Sequence, residues 1–397
     1  MWNVILLGLV SLFADVSGEM IYPLIPLYLA SVGAGPATLG LIEGSAETVA
    51  SLVKVLSGRS SDRSGRRKPL ALWGYGLAAI GKLVLALAGS WPLIFVGRLT
   101  DRFGKGVRGA PRDALIADSV PAAQRGRAFG LHRTMDTLGA VFGVAVAYLV
   151  LALSPQVSAA TYRLVFAIAL APALVSVALL TLARERRAPP IASVTGGPTT
   201  VRGRLGALAA GWRSLDGRLR GFLLLALLFT LGNSSNQFLL LRAGQIGDSP
   251  LTVLLLYGMY NVVSTLLAYP AGALSDRIGR RTLLAGGYAL YGLVYLGFAL
   301  AQGPAALWPL FAVYGAYTAL TEGVEKALLV DLAPPQLKGT LIGLHGAIVG
   351  AGLLPASLLA GLLWDWLGPA APFLFGGVVG LIAAGGIWVV LGRLRRG

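Results

Sequence analysis

GRSSDRSGRR, Gly58 to Arg67, recurs as GALSDRIGRR, Gly272 to Arg281, at an offset of 214 (272 minus 58). Further matches follow at an offset of 213: Asp118 meets Asp331, Gly126 meets Gly339, and Gly130, Leu131 and His132 meet Gly343, Leu344 and His345. A self-similarity of this period means that half the chain is built twice. Working outward from the repeat, runs long enough to cross a bilayer, about 20 residues each, lie at 4–30, 36–57, 70–89, 91–118, 127–153 and 160–183. A second set lies at 220–242, 250–271, 282–302, 306–332, 339–363 and 370–391. The fold expected is an all-α membrane protein of twelve transmembrane helices in two pseudo-symmetric six-helix bundles. Residues 1–183 form the N-terminal bundle, 184–219 a linker rich in Arg, Pro, Gly and Thr, and 220–397 the C-terminal bundle. The linker suits a flexible cytosolic connection with a short amphipathic helix near 205–219.

Composition agrees. Of 397 residues 56% are apolar and 13% charged, against about 25% charged in soluble domains. The net charge of +16 would suit nucleic acid on one soluble surface, but the basic residues sit between apolar runs, which excludes that partner. With no cysteine there is neither a disulfide framework nor a thiolate metal site, and no cofactor or metal is expected. The first run is too long for a cleaved signal peptide and reads as a span. Segments on the side of the termini hold 22 Lys and Arg, whereas the opposite segments hold Arg163 and Arg242. The positive-inside rule then puts both termini in the cytoplasm of a multi-pass protein in the cell inner (plasma) membrane.

Span 4, WPLIFVGRLTDRFGKGVRGAPRDALIAD from Trp91 to Asp118, has membrane length but carries a stripe of charge. At 100° per residue, Arg98, Asp101, Arg102, Lys105, Arg108 and Arg112 fall within about 120°, with Asp113 at the edge. Each mid-membrane charge costs roughly 2.5 to 3.5 kcal/mol, so the stripe faces protein or water.

The paired decapeptides, the six-plus-six layout and the long linker resemble the major facilitator superfamily, and the DRFGKGVRGAPRDALIAD run of span 4 is similar to a bacterial branch of it. The resemblance covers essentially the whole chain. It implies the major facilitator fold, with spans 1, 4, 7 and 10 lining a central cavity, 2, 5, 8 and 11 flanking it, and 3, 6, 9 and 12 facing outward. It also implies that Asp62, Arg66, Arg67 and Asp276 latch the cytosolic side. Gly130, Gly139 and Gly143 in span 5 resemble the glycine pattern of drug/proton antiporters, with Val144 in place of its proline.

Candidate site residues follow from where charge enters the spans. Asp15 and Glu19 lie four apart in span 1, with Ser11 and Tyr22 on the same face. Aligning ADVSGEM (14–20) with GNSSNQF (232–238) sets Asn233 against Asp15 and Gln237 against Glu19, and in span 2 Glu43 and Glu47 meet Tyr257 and Asn261. Amides hold a polar site but release no proton. Proton coupling is therefore expected at Asp15 and Glu19, then at Glu43 and Glu47, since intramembrane ionisable groups are functional by default. The competing reading is a structural network. Asp15, Glu19, Glu43, Glu47, Asp101, Asp113 and Asp136 balance Lys54, Arg98, Arg102, Lys105, Arg108, Arg112 and Arg133. Lys82 in span 3 has no explanation in the sequence.

Substrate contacts are expected from Tyr22, Arg98, Arg102, Lys105, Asn233 and Gln237, and in span 10 from Tyr314, Thr318, Thr321 and Glu322, with Glu325 binding or coupling. Arg108, Arg112, Asp113 and Asp136 lie nearer the latch and are assigned to gating. His132 and His345 read as packing and hydrogen-bonding devices rather than a metal site. The expectation is a proton-coupled, monomeric secondary transporter for a small solute, exporting by proton antiport, with symport uptake as the alternative. A non-transporting membrane sensor is the reading of another class. No nucleophile, base and orienter come together by spacing, so an enzyme is not expected.

Overall fold

The computed structural model describes residues 2–121, 124–185, 215–247, 249–332 and 338–392. Its helices follow the expected spans: span 1 is Trp2–Ile21 continued by Ile25–Ser31, then come Pro36–Ser64, Lys68–Leu87, Trp91–Asp118, Arg125–Ala152 and Ala159–Thr181. In the second half, span 7 is Gly217–Gly232 continued by Gln237–Ile246, followed by Pro250–Ile278, Arg280–Leu300, Pro304–Leu332, Lys338–Leu367 and Ala371–Val390. Among the described residues, nine of these units are long and apolar enough to cross a membrane. The other three, spans 2, 4 and 10, carry most of the intramembrane charge. Most of the expected linker, including residues 205–214 of the helix expected near 205–219, lies outside the described residues, and Gly217 already belongs to span 7.

The repeated decapeptide differs from the loop expected of it. Gly58–Ser64 and Gly272–Ile278 are the last turns of spans 2 and 8. The chain turns at Gly65 (φ 62°) and Gly279 (φ 91°), equivalent positions that need a residue without Cβ. Spans 1 and 7, expected to be continuous, are each interrupted. Pro23 and Pro26 lack the backbone donor of an α-turn, and Tyr22–Leu24 winds as a 3-10 turn. Span 7 breaks at Asn233–Asn236 within G-N-S-S-N, a run of poor helix formers. Tyr291 donates to the freed Gly232 carbonyl (2.8 Å), and Tyr314 donates to Asn236 Oδ1 (2.7 Å).

Packing obeys the duplication. Span 1 packs on spans 5 and 6, span 4 on spans 2 and 3, and span 3 on span 6; each pairing has its copy as 7 on 11 and 12, 10 on 8 and 9, and 9 on 12. The halves meet through spans 2 and 11 and, as the symmetric counterpart, spans 8 and 5. Contacts between the halves lie away from the termini. Ala37 N–H donates to Asp365 Oδ2 (3.0 Å), Thr48 Oγ1 donates to the Gly350 carbonyl (2.8 Å), and Gln237 Nε2 donates to the Tyr22 carbonyl (2.9 Å). A Cβ on Gly44 would stand 2.9 Å from Leu354 Cα, and one on Gly361 2.5 Å from the Pro36 carbonyl, so this crossing requires glycine. The molecule is thus sealed at the end opposite its termini and open at the end that bears them.

Candidate functional site

The opening is a cavity of about 450 Å³ between the halves. Its N-terminal wall includes Asp15, Glu19, Glu47, Lys54, Lys105, Arg108, Arg112, Arg133 and Asp136; its C-terminal wall is Tyr260, Asn261, Ser264, Thr265, Thr318 and Glu322. The lining comes from spans 1, 2, 4, 5, 8 and 10. Span 7, expected in the lining, gives it no side chain among the described residues in this conformation: Asn233 is tied to span 10, and Gln237 reaches across the seam to the Tyr22 carbonyl. Asn233 Nδ2 donates to Tyr317 Oη (3.2 Å), and Gln237 is fully buried.

Asp15 and Glu19 are the expected coupling residues that the structure places in the cavity without an ionic partner within 4 Å among the described residues. Two glycines set them there. A Cβ on Gly139 would lie 3.1 Å from Asp15 Cβ and 2.5 Å from the Leu12 carbonyl; one on Gly143 would lie 3.0 Å from Glu19 Cβ and 2.5 Å from the Val16 carbonyl. Span 5 therefore presses on span 1 directly behind both carboxylates. Gly130, the third glycine of the antiporter-like pattern, has open space around it. Glu19 reaches across the seam, its Oε2 accepting a hydrogen bond from Tyr257 Oη at 2.6 Å.

Glu43 and Glu47 separate. Glu43, fully buried, accepts from both Arg98 Nε (2.7 Å) and Arg98 Nη2 (2.8 Å) in a bidentate pair away from the cavity. Glu47 lines the cavity and pairs with Arg102 Nη2 (3.1 Å). Arg98 and Arg102 are 2% and 7% exposed and absent from the lining, so of the three span 4 cations expected to touch solute only Lys105 does line it. Tyr22 lies under both guanidiniums, 5.7 and 5.5 Å from its ring. Arg108, stacked 4.3 Å over Tyr75, and Arg112, held by Asp113 (2.9 Å), reach the lining from the residues assigned to gating. Lys82 is 2% exposed and 3.9 Å from Asp101 Oδ1, which explains a lysine on span 3: the stripe of span 4 faces spans 2 and 3 as well as water.

In span 10, Thr318 and Glu322 line the cavity, Thr321 Oγ1 donates to the Tyr317 carbonyl (3.0 Å), and Tyr314 serves the span 7 break. Glu325 leaves the lining and accepts from Tyr288 Oη (3.1 Å), with His345 Nε2 at 3.0 Å. His132 makes the corresponding arrangement with Ser11 (2.7 Å) and Asp136 (3.4 Å), so both histidines act as hydrogen-bonding devices within their own halves.

At the terminus-bearing face the two latches are alike but one residue out of register, since Arg280 aligns with Arg66 of the decapeptide rather than with Arg67. Arg67 pairs with Asp118, and Arg280 pairs with Asp331 at 2.8 Å, each joining the end of the repeated motif to the end of span 4 or 10. Arg280 also lies 3.6 Å from Asp276. Asp62 and Arg66 are exposed, with no ion pair among the described residues. Sequence reasoning assigned no role to Asp118, Asp331 or Arg280, although the 213-residue match of the two aspartates was a signal. It also missed Glu185, which accepts from the N–H groups of Arg67 and Lys68 at the start of span 3.

A family model for the Major Facilitator Superfamily matches residues 7–243 and, again, 221–396. An MFS-type transporter of Methanocaldococcus jannaschii is 36% identical over 387 residues, covering 96% of this chain and 93% of its own. The multidrug resistance protein MdtH of an Enterobacter strain is 25% identical, covering 93% of this chain and 89% of its own. Among solved structures, a POT family transporter in complex with 5-aminolevulinic acid superposes with a TM-score of 0.80 at 13% identity over 99% of this chain and 96% of that one. The duplicated six-span halves, the polar cavity between them and these matches place the chain in the major facilitator superfamily, as a membrane transporter and not an enzyme.

Proposed function

We propose that this transporter is proton-coupled and exports a small solute in exchange for protons, with the terminus-bearing face in the cytoplasm. The lopsided distribution of Lys and Arg supports that orientation, under which the cavity described here is open inward. The observation that carries the direction is the bond from Tyr257 Oη to Glu19 Oε2 across the seam. A hydrogen bond to an ionised group is worth about 1.5 to 3 kcal/mol, so an ionised Glu19 holds the empty carrier inward-open by roughly tenfold or more. An exporter that has released its proton needs that state: it waits for cargo and does not return empty. A symporter would need the empty, deprotonated carrier to reorient freely. MdtH, named for multidrug resistance, is a relative consistent with export. Asp15, one helical turn before Glu19, supplies a second carboxylate lining the same cavity.

Proteoliposomes with an imposed pH gradient and a panel of small organic solutes test this. The expected result is a solute driven against the direction of proton flow, lost on replacing Asp15→Asn together with Glu19→Gln while solute-for-solute exchange persists. Full gradient-driven transport by that double variant would sink the proposal.

A further inference from the structure

Not every charge in the cavity is matched. On the N-terminal wall Glu47 is tied to Arg102, Arg112 to Asp113, and Asp136 lies by His132. Lys54, Lys105, Arg133 and Arg108, the last turned onto Tyr75, line the same wall with no ion pair among the described residues, against Asp15 and Glu19 as its unpaired acids, an excess of two positive charges (four minus two). Lys54 lies along Gly109, where an added Cβ would meet its Cε at 3.5 Å, one helical turn beyond Lys105 on span 4. The glycine thus opens a groove in which the two ammonium-bearing chains approach from spans 2 and 4. Opposite them, Glu322 is the one ionisable group of the C-terminal wall besides the Tyr260 phenol, and it too has no ionic partner among the described residues. The C-terminal wall adds neutral hydrogen-bonding groups, Ser264, Thr318 and Asn261, while Arg133 of the N-terminal wall borders both of the cavities that Glu322 lines.

A net excess of unmatched positive charge on one half thus faces an unmatched carboxylate on the other. Deepening the export reading, and resting on it, we propose that the solute is a zwitterion whose anionic group is held by Lys54 and Lys105 and whose cationic group is held by Glu322. A conformational change follows a ligand only through differential affinity for the two states. A solute with one charge satisfies one wall and gives the other half no reason to approach. A zwitterion links span 4 to span 10 and gains its second contact as the inner ends draw together. Glu322, Ser264 and Thr318 also border a second cavity that runs toward Asp276 and Arg280, so the cationic end would sit where the solute path leaves the C-terminal latch.

The test is equilibrium binding to the purified full-length chain in lipid nanodiscs at one pH, without a gradient. The probes are amino acids and dipeptides, each beside its N-acetyl derivative, which keeps only the anion, and its amide, which keeps only the cation. At least one zwitterion should bind with both derivatives weaker by about tenfold or more. Glu322→Gln should then weaken the zwitterion and the amide but leave the N-acetyl form unchanged. Lys54→Gln with Lys105→Gln should do the reverse, and Lys105→Arg should retain binding, which separates loss of charge from loss of fold. Any single-charge derivative binding as tightly as its zwitterion, no zwitterion binding at all, or a uniform loss in Glu322→Gln would overturn the proposal. Because no gradient is used, proton-driven export of a solute with one charge would leave the coupling proposal intact while refuting this one.

Discussion

Arg98 and Glu19 show how the same kind of residue serves two ends. Arg98 is enclosed, with both carboxylate oxygens of Glu43 on its guanidinium and Asp101 at 3.5 Å. Desolvating such a pair offsets most of its Coulomb attraction, so its presence stabilises little, yet removing one partner strands a buried charge. Arg98→Ala should therefore lower stability by about 3 to 5 kcal/mol, read as a large fall in melting temperature in detergent. Arg98→Met with Glu43→Leu should recover most of that loss, since an apolar pair of similar volume strands no charge. Glu19 and Asp15 line the cavity and lack ionic partners among the described residues, so their amides should leave the melting temperature near wild type while removing coupling. Loss of coupling in Arg98→Met with Glu43→Leu at recovered stability, or a large fall in melting temperature in the Asp15 and Glu19 amides, would reverse these assignments. The sequence balanced seven acids against seven bases but could not say which pairs close. That depends on the rotation of spans 2 and 3 about span 4, which no one-dimensional periodicity carries; for the same reason Lys82 had no explanation until Asp101 was found beside it.

At the scale of elements, the seam is a set of close helix crossings finished by a few polar contacts. Asp365 on span 11 accepts from the Ala37 N–H in the first turn of span 2, placing a carboxylate where the unpaired donors and the positive end of the helix dipole favour it. That contact breaks when the outer end opens. Asp365→Ala should therefore raise outward-open occupancy, by about two- to fivefold for a contact of 0.3 to 1 kcal/mol. The chain lacks cysteine, so a single cysteine placed at Ser357 in the seam would report the change as faster labelling from the outer side, and one at Ser264 in the cavity as slower labelling from the inner side. Unchanged rates at both positions would remove Asp365 from the gate. Span 5 makes a second prediction. Gly139→Ala or Gly143→Ala inserts a methyl against the Leu12 or Val16 carbonyl and must shift span 1, so either should impair gradient-driven transport with cavity residues untouched. Wild-type coupling in both would show that the glycines do not position the carboxylates. The glycine pattern was legible in the sequence, but its address, the back of Asp15 and Glu19, was not. The interruptions of spans 1 and 7 were half legible: Pro23 and Pro26 signal the first, whereas the second depends on Tyr291 and Tyr314 arriving from spans 9 and 10 to satisfy the opened backbone.

For the whole molecule, duplication explains the fold, and departures from duplication explain the site. Each packing pair in one half has its copy in the other, and the Arg67–Asp118 latch has its counterpart, one residue out of register, in Arg280–Asp331. The two six-span halves could be read from the repeat because they need only matching residues at matching spacing, whereas the acids of the latches, Asp118 and Asp331, were matched by the repeat but given no role. The cavity breaks the symmetry. Asp15, Glu19 and Glu47 have Asn233, Gln237 and Asn261 as their aligned counterparts, so titration is concentrated in one half and hydrogen bonding in the other. Which spans line the opening depends on how the halves tilt, and the sealed end opposite the termini is a property of the conformation rather than of the sequence.

In this account, protonation of Asp15 and Glu19 sets the tilt. The most direct test places spin labels at cysteines introduced for Ser60 and Leu274, exposed positions near the inner ends of spans 2 and 8 in opposite halves, and measures their separation as pH is lowered. Protonating Glu19 removes the charge that holds Tyr257, so the account predicts that the long inward-open distance gives way to a shorter one on acidification. In Asp15→Asn with Glu19→Gln the shorter distance should persist at every pH. A double variant that keeps the wild-type pH dependence would contradict the claim that these two carboxylates couple protons to the motion.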